Sequence, residues 1–379
     1  MVKSTKAPKS TDASTALTHC EPPSRVVLVM QGGGALGAFQ AGVYEAMHRA
    51  GIEPDWVVGT SIGAINAAII AGNKPEQRLD RLREFWDLVS SASTSSSLWN
   101  TFGMLNMVHN LVTVTNGIPG FFKPNSNAFL GTNNPVGVTQ ASFYSTDPLR
   151  DTLDKLVNFS SITEKTTRLT LGAVNARSGE MHYFDSRDTA LTLEHVMASG
   201  ALPPAFPAVM IDGEPYWDGG IYSNTPMEVV MDDNPRQDSV IFAAQLWQQE
   251  GAVPETIAQV SSRLKDIQYA SRAESHTARQ QQIHHLRHIV RELGRLMPAT
   301  LRATPEAKEL LGWGCGTVMH VLPMQAPAIE GEDHTKDIDF TPAGIRGRWK
   351  AGVEYAQRHI DAAPWSDPFD PMLGIVVHR

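Results

Sequence analysis

The sequence predicts an α/β fold with a largely parallel central sheet and helices on both faces. Residues 26–30 read Val-Val-Leu-Val-Met, an unbroken apolar run typical of a strand buried on both faces. A glycine-rich turn follows, and residues 39–50 then read as a helix that ends at Gly51. Residues 56–58 and 64–70 repeat this order of short apolar strand, turn and helix. Two such units in tandem are the pattern of a parallel sheet covered by helices.

The first turn is rich in backbone donors. Residues 31–37 read Gln-Gly-Gly-Gly-Ala-Leu-Gly, so several N–H groups are free of side-chain obstruction. Such groups can hold a phosphate or the oxyanion of a tetrahedral intermediate. We therefore predict that Gly32, Gly33 and Gly34 form an oxyanion hole, with Gly37 supporting the turn.

The second turn carries a serine. Residues 59–63 read Gly-Thr-Ser-Ile-Gly, the pattern of a sharp strand-to-helix turn that holds a serine hydroxyl exposed. Gly59 and Gly63 leave room for the turn and for an approaching substrate. The helix that begins after Ser61 directs the positive end of its dipole toward that residue. A donor-rich turn followed by a serine-bearing turn indicates an acyl-transfer site with Ser61 as the nucleophile.

An acid far downstream completes the predicted site. Residues 209–217 are predicted to form a hairpin, and Asp218 stands at its end. Gly219 and Gly220 follow and allow another part of the backbone to approach. Such a carboxylate is well placed to act as a general base. Asp212 shares the Asp-Gly turn chemistry and is predicted to be structural.

At these residues the chain resembles the patatin-like phospholipases. The resemblance covers roughly residues 25–250 and rests on four separated motifs in the family's order: the glycine turn, the serine turn, residues 218–220 and the loop at 199–207. It implies a three-layer fold and a dyad of Ser61 and Asp218 that works without a histidine. It further implies hydrolysis of lipid acyl esters, of the phospholipase A or lysophospholipase type, through an acyl-serine and with no cofactor.

One position departs from the family pattern. Many members carry Arg or Lys where Leu36 stands. If that charge anchors a lipid phosphate, an anionic phospholipid is less well supported as the substrate of this chain. Two other functions therefore stay open. One is a cytoplasmic esterase acting on a storage polyester or a small acyl ester, and the other is a lipid-binding protein without turnover.

Two other kinds of site share parts of these motifs. Gly32, Gly34 and Gly37 also match the dinucleotide-binding pattern G-x-G-x-x-G. That pattern needs an acid that closes the second strand, whereas Glu53 and Asp55 precede it. A Ser–His–Asp triad needs a histidine after the acid. The available candidates are His276, His284, His285, His288, His320 and His334.

Composition divides the chain into three parts. Residues 1–24 are rich in Ser, Thr, Lys and Pro, lack the apolar core of a signal peptide, and are predicted to be a disordered tail. Residues 25–250 form the predicted hydrolase domain, whose strand at 239–247 is expected to close the sheet. Residues 251–379 form a predicted accessory region of mostly helical character.

Two segments outside the motifs are candidates for contacting lipid or a partner. Residues 98–129 are rich in Met and aromatic side chains and are predicted to be an acyl-binding wall or a lid, or else part of the core. Residues 254–298 are predicted to form a basic amphipathic helix that lies on an anionic membrane, on the body or on another subunit. His284 and His288 have a spacing able to hold a metal. No acidic or cysteine partner is near in sequence, so no metal is predicted.

Charge and cysteine content indicate which class of partner and which cellular compartment fit the chain. The formal net charge of −8 argues against a nucleic-acid binder. The two cysteines, Cys20 and Cys315, are compatible with a reducing compartment. No apolar stretch approaches the length needed to span a bilayer. We therefore predict a cytoplasmic enzyme that visits a membrane surface to reach a lipid substrate, with oligomerisation possible through the C-terminal region.

Overall fold

The computed structural model describes residues 25–90, 117–131, 133–164, 166–329, 332 and 335–378. The predicted tail at residues 1–24 and most of the apolar segment at 98–129 lie outside these residues. The strands are β1 (Arg25–Met30), β2 (Trp56–Gly59), β3 (Lys123–Pro124), β4 (Tyr144–Ser145), β5 (Arg168–Asn175), β6 (Met181–Asp185), β7 (Val209–Ile211), β8 (Glu214–Asp218), β9 (Ser239–Gln245), β10 (Met319–Gln325) and β11 (Ile375–Val377).

Helices α1 and α2 follow β1 and β2, as the sequence predicts. The α-helices are α1 (Ala38–Arg49), α2 (Ile62–Ala71), α3 (Pro75–Ser90), α4 (Asp147–Leu156), α5 (Phe159–Thr163), α6 (Leu193–Ser199), α7 (Met227–Met231), α8 (Ile257–Leu296), α9 (Ala299–Arg302), α10 (Pro305–Leu311) and α11 (Pro342–Ala362). Short 3-10 helices occupy residues 34–37, 126–130, 219–221 and 364–366.

Within the described residues, nine strands form one sheet in the order β11-β10-β9-β1-β2-β5-β8-β7, with β6 paired to the other edge of β5. The run from β11 to β5 is parallel throughout. Strands β6, β7 and β8 pair in the antiparallel sense. Strand β9 lies inside the sheet, so the expectation that it closes the sheet is wrong. The chain beyond residue 250 adds β10 and β11 alongside it, and β9 is hydrogen-bonded on both edges.

The sheet is buried on both faces. Side chains of β1 alternate between two separate apolar clusters, with Leu28 and Met30 on one face and Val27 and Val29 on the other. The first cluster includes side chains of α1, α2, α3 and α11, and the second includes those of α7. This arrangement confirms the predicted α/β class with helices on both faces. It also explains why β1 is a continuous apolar run.

The C-terminal residues are packed into this core. Helix α11 lies along α1, and Trp349 Nε1 donates to the Glu45 carboxylate at 2.6 Å. The rings of Phe39 and Tyr355 meet edge to face with centroids 6.2 Å apart. The predicted accessory region at 251–379 therefore shares one sheet and one core with the predicted domain at 25–250.

None of the helices in the described ranges combines the length with the apolar composition that a bilayer crossing requires.

Candidate active site

Ser61 lies at a strained turn between β2 and α2. Its backbone has φ 58° and ψ −125°, a conformation that non-glycine residues rarely adopt. A Cβ atom at Gly59 would lie 2.3 Å from the carbonyl oxygen of Gly63, and a Cβ at Gly63 would lie 2.3 Å from that of Met30. The two flanking glycines are therefore required by close backbone contact, and the turn presents the serine side chain at the carboxyl end of β2.

Ser199 holds this turn from α6. The Ser61 N–H donates to the Ser199 carbonyl oxygen at 3.1 Å and approaches the Ser199 hydroxyl at 3.2 Å. The Ser199 hydroxyl in turn donates to the carbonyl oxygen of Gly172 in β5 at 2.6 Å. Ser199 is fully buried. Because a buried hydroxyl is bonded on both sides, it fixes the serine turn to the sheet.

Strand β5 brings Ser61 and Asp218 together. Gly59, at the end of β2, pairs with Leu171, and Asp218, at the end of β8, pairs with Ala173. Strand β6 occupies the other edge of β5 over the same residues, so β2 and β8 share one edge. The nucleophile turn and the end of the second hairpin consequently meet at one point, although 157 positions separate them in the sequence.

Asp218 is a buried carboxyl group at that point, with 1% of its surface exposed. Its Oδ1 accepts a hydrogen bond from the Gly220 N–H at 2.7 Å, and Ser61 lines the same pocket. Burial raises the pKa of Asp218 to about 7, against the opposing effect of the Ser61 side chain and the Gly220 N–H. Gly219 packs against the Gly172 carbonyl, and Gly220 lines the pocket beside Asp218.

The glycine turn faces the serine, but its three predicted donors differ. The Gly32 N–H donates to the Asn224 carbonyl oxygen at 3.1 Å, so it is occupied within the protein. Among the described residues, the N–H groups of Gly33 and Gly34 have no acceptor. Of the three predicted donors, Gly33 and Gly34 therefore keep their N–H groups for a ligand, and the N–H of Gly32 is used within the protein. Gly37 packs against Ile62, at the first turn of α2.

The glycine turn is held by bonds that the sequence analysis did not anticipate. The carbonyl oxygen of Gly32 accepts from Asn224 Nδ2 at 3.0 Å and from Trp247 Nε1 at 2.7 Å. The Ala35 N–H donates to the Asp337 carbonyl oxygen at 2.8 Å. Asn224, six residues after Asp218, thus bonds the glycine turn through both its main chain and its side chain.

A buried polar chain continues behind the turn. Gln31 Nε2 donates to Thr225 Oγ1 at 2.6 Å, and Gln31 Oε1 accepts from the N–H of Leu246. Gln40 Nε2 donates to the Gln31 carbonyl at 2.6 Å, and Asn66 Nδ2 donates to Gln40 Oε1 at 3.0 Å. These amides fix the positions of the β1, α1 and α2 ends relative to one another. In the sequence, the only sign of this chain of amides is Gln31, a polar residue directly after the apolar run of β1.

A pocket of about 200 Å³ opens over these groups. Its lining includes Ser61, Asp218, the three glycines at 32–34 and Asn224. Its apolar part is dominated by the side chains of Ile65, Phe121, Phe122, Leu202, Phe206 and Phe340. Phe121 and Phe122 belong to the predicted acyl-binding segment, and the loop at 199–207 supplies Leu202 and Phe206. The remainder of that segment, at residues 98–116, lies outside the described residues.

The C-terminal region completes the pocket wall. Tyr269 from α8 and Asp337, Ile338 and Phe340 from the segment before α11 contribute to the lining. The rings of Phe121 and Phe340 have centroids 5.6 Å apart. Sequence reasoning did not assign these residues to the site, because no local motif marks them and they join it only through the packing of α8 and α11.

The pocket lining includes two acidic residues, Asp218 and Asp337, and, within the described part of the chain, no Lys or Arg. Lys265 binds both carboxylate oxygens of Asp337 at 2.8 and 2.9 Å and offsets that charge. Burial, followed by the negative charges of Asp218 and Asp337, raises the pKa of Tyr269. Leu36 is buried and faces a separate small cavity.

The residues of the alternative sites lie elsewhere. No histidine lines the pocket in the described ranges. His284 bonds the Met231 carbonyl, and His288 bonds the carbonyl oxygens of Pro371 and Thr317. His320 pairs with His378 at the far edge of the sheet. His334 lies outside the described residues.

The acids of the nucleotide alternative also have structural partners. Glu53 binds Arg78 at 2.6 Å, and Asp55 accepts the Val26 N–H at 2.8 Å. Both lie at the opposite end of the sheet from the glycine turn, because they precede β2 instead of following it.

Comparisons with solved structures show distant similarity. VipD from Legionella pneumophila is 17% identical, and the match covers 90% of this chain and 67% of VipD, with a TM-score of 0.39. The ExoU–SpcU complex from the type III secretion system of Pseudomonas aeruginosa is 18% identical, covering 68% of this chain and 52% of that chain, with a TM-score of 0.30.

Comparisons of sequence are more specific. Over 46 residues the chain is 54% identical to the lysophospholipase nte1 of Aspergillus terreus, a match that spans 12% of this chain and 3% of that relative. A family model described as patatin phospholipase matches residues 267–372. The model of the patatin-like phospholipases matches residues 28–231, which include the glycine turn, the serine turn and Asp218. The chain belongs to the patatin-like phospholipase family.

Proposed function

We propose that this protein is a serine hydrolase that cleaves lipid acyl esters, with Ser61 as nucleophile and Asp218 as general base. The observation that carries the proposal is the buried Asp218 carboxyl group, which shares a pocket with the hydroxyl of Ser61, a residue held in a strained turn whose side chain lowers the pKa of that carboxyl group. A carboxylate in contact with a serine can take its proton during attack. The absence of a histidine from the described pocket lining favours this dyad over a triad.

The reaction has two halves. In the first, Asp218 takes the Ser61 hydroxyl proton while Oγ attacks the ester carbonyl carbon. The N–H groups of Gly33 and Gly34 stabilise the resulting oxyanion. The C–O bond to the alcohol then breaks, and the alcohol leaves with the proton from Asp218. In the second half, Asp218 takes a proton from water, the hydroxide attacks the acyl-serine, and the fatty acid leaves as Ser61 recovers its proton.

Burial of Asp218 suits this role. A carboxyl group with a pKa of about 7 is a stronger base than an ordinary aspartate, and it is still largely ionised at a slightly alkaline pH. Proton transfer from a serine is more favourable to such a base.

The pocket supports an acyl chain as the bound part of the substrate. Aromatic and aliphatic side chains dominate the wall, and the rings of Phe122 and Phe206 lie with centroids 5.5 Å apart. We propose a phospholipase A or lysophospholipase type of reaction in which the acyl chain enters the pocket and the head group stays outside. The compartment we propose is the cytoplasm, with the reaction at a membrane surface.

A second candidate is an esterase for neutral esters, such as a storage polyester or a small acyl ester. The lining favours it, since no Lys or Arg among the described residues faces the pocket to bind a phosphate. Both candidates use the same Ser61 chemistry. A lipid-binding protein without turnover would keep the pocket but not the reactivity.

Fluorophosphonate labelling followed by peptide mass analysis tests the nucleophile. We expect Ser61 to be labelled in the wild type and no label in Ser61→Ala. Absence of label in a folded wild-type preparation would support the binding protein instead. Release of acid from lysophospholipid, phospholipid vesicles, a neutral diacylglycerol and a short polyester, each compared with Ser61→Ala, then separates the two hydrolytic candidates.

A further inference from the structure

Helix α8 has one face buried against the body. It spans 40 residues, which corresponds to a length of about 60 Å. Gln280 Nε2 donates to Asp232 at 2.7 Å, and the His284 and His288 side chains contact backbone carbonyls of the body. Ala270 is also buried. These contacts orient the helix and define which face points away from the protein.

The outward face carries an apolar seam in two halves. The amino-terminal quartet has side chains that are between 48% and 88% exposed: Ile257, Val260, Leu264 and Ile267. In the carboxyl-terminal quartet, the three leucines are between 56% and 83% exposed, and the isoleucine is half-buried: Leu286, Ile289, Leu293 and Leu296. Both quartets have the spacing 3-4-3, which is the a/d spacing of a coiled-coil seam.

The two quartets have the same spacing whether the helix is read from its amino or its carboxyl end. We propose that this face is the interface with a second copy of the chain, whose α8 runs antiparallel to the first. An axis between residues 276 and 277 places each quartet on the opposite quartet of the partner. The resulting apolar pairs are Ile257 with Leu296, Val260 with Leu293, Leu264 with Ile289 and Ile267 with Leu286.

The centre of the seam fits the same arrangement. In the proposed dimer, Ser275 of one copy faces Ala278 of the other across the axis. Both residues are exposed in the single chain. Their side chains are small, so two helices can approach closely where they cross. Beyond the ends of the seam, Val253 and Leu301 are also exposed. In the proposed dimer, Val253 of one copy lies near Leu301 of the other. Self-complementarity of this kind is what a two-fold homodimer requires.

The form of the seam favours a second copy over a lipid surface. A helix that lies in a membrane interface has a broad apolar face, whereas this seam is narrow, with the spacing that helix pairs use. The exposed apolar side chains extend from Ile257 to Leu296, the full length of the helix. Contiguous exposed apolar surface of this kind marks interaction sites.

Sedimentation of the full chain measures the assembly. We expect a particle with twice the monomer mass of 41.4 kDa at micromolar concentration. Leu264→Glu places a charge in the seam and should give a monomer with an unchanged unfolding temperature and unchanged hydrolysis of a small soluble ester. The control Met210→Glu alters a side chain that is 40% exposed on β7 and should remain dimeric.

Cysteine cross-linking tests the direction of the helices. In a Cys20→Ser, Cys315→Ser background, Ala278→Cys should cross-link to itself with a short bismaleimide, because the two copies lie about 5 Å apart along the axis. Val260→Cys alone should not, since its copies lie about 50 Å apart. A mixture of Val260→Cys and Leu293→Cys should form the cross-linked pair. A parallel dimer would instead link Val260→Cys to itself.

Three results would overturn the proposal. One is a chain that stays monomeric at all concentrations. If that monomer co-sediments with anionic phosphatidylcholine–phosphatidylserine vesicles and Leu264→Glu abolishes the binding, the seam is a lipid surface. Another is a dimer that survives Leu264→Glu. The third is a dimer whose cross-links follow the parallel pattern.

Discussion

The Ser61 side chain and the carboxyl group of Asp218, which has only 1% of its surface exposed, meet in one pocket, where Ser61 lowers the pKa of the carboxyl group. The two residues reach each other because β2 and β8 both end against one edge of β5. Removal from water raises the pKa of the carboxyl group, and the Ser61 and Gly220 donors lower it again only in part. Proton uptake by Asp218 is therefore linked both to activity and to folding.

The first prediction concerns the pH dependence of activity. Only the ionised form of Asp218 can accept the Ser61 proton, and its pKa is about 7. We expect kcat/KM for a soluble ester to rise with pH, with a midpoint near 7, and to fall about tenfold per pH unit well below the midpoint. A stopped assay from pH 4.5 to 9 measures this profile. A flat profile down to pH 5 would contradict the assignment of Asp218 as base.

The second prediction concerns stability. Asp218 titrates near 3.8 when unfolded and near 7 when folded, so between these values the folded chain holds one proton more. The contribution of Asp218 to the free energy of unfolding is therefore largest at low pH. It falls by about 1.4 kcal/mol per pH unit as the pH rises toward 7. In Asp218→Asn this loss is absent.

Comparison with Asp218→Asn isolates this contribution from that of other groups. The unfolding temperature of Asp218→Asn minus that of the wild type should increase by several degrees between pH 4.5 and pH 8. Thermal unfolding followed by circular dichroism at five pH values measures the difference. A difference that stays constant with pH would mean that folding does not change the pKa of Asp218.

The third prediction concerns Ser199, which anchors the serine turn to β5 through two bonds. Removing its hydroxyl in Ser199→Ala leaves the Gly172 carbonyl without that donor and should cost about 1–2 kcal/mol of stability. We also expect kcat to fall about tenfold, because the position of Ser61 is no longer fixed.

Ser186→Ala is the matched control for Ser199→Ala. Ser186 is also buried and its hydroxyl accepts the Leu169 N–H at 2.9 Å, at the end of β5 remote from the site. It should lose similar stability while keeping kcat. Equal kcat values in the two variants would show that Ser199 is merely structural.

The fourth prediction concerns Gly34, whose N–H, like that of Gly33, has no acceptor among the described residues. Its φ is 54°, and a Cβ would lie 2.2 Å from the Asp337 carbonyl oxygen. Gly34→Ala must therefore displace the turn, and we expect kcat to fall by about 10²-fold with KM little changed. Gly213→Ala is the control, because its φ is 83° and a Cβ there meets no atom within 4 Å. It should lose stability only. Equal losses of kcat in the two variants would argue against an oxyanion role.

Local patterns were enough to predict the motifs and the strands that carry them. The apolar run of β1, the glycines at 59 and 63 and the hairpin before Asp218 each reflect constraints within a few residues. The sequence predicts Asp218 as a base from its place at the end of a hairpin, and its pairing with Ser61 from the family resemblance, because their meeting depends on how β2 and β8 pair with β5.

Long-range packing decides what sequence reasoning missed. Occupation of the Gly32 N–H follows from the position of Asn224, which no turn pattern reveals. The contributions of Tyr269 and Phe340 to the pocket follow from the packing of α8 and α11 on the body. Strand β9 was expected to close the sheet because the apolar pattern of the later strand β10 gives no information about its neighbours.

Release of fatty acid from phospholipid vesicles by the wild type, Ser61→Ala and Asp218→Asn, purified side by side and matched for folded fraction, tests the central claim most directly. We expect release by the wild type and a loss of at least about 10³-fold in both variants, since each removes one member of the proposed dyad. Near wild-type release by folded Asp218→Asn, or release that persists in Ser61→Ala, would contradict it.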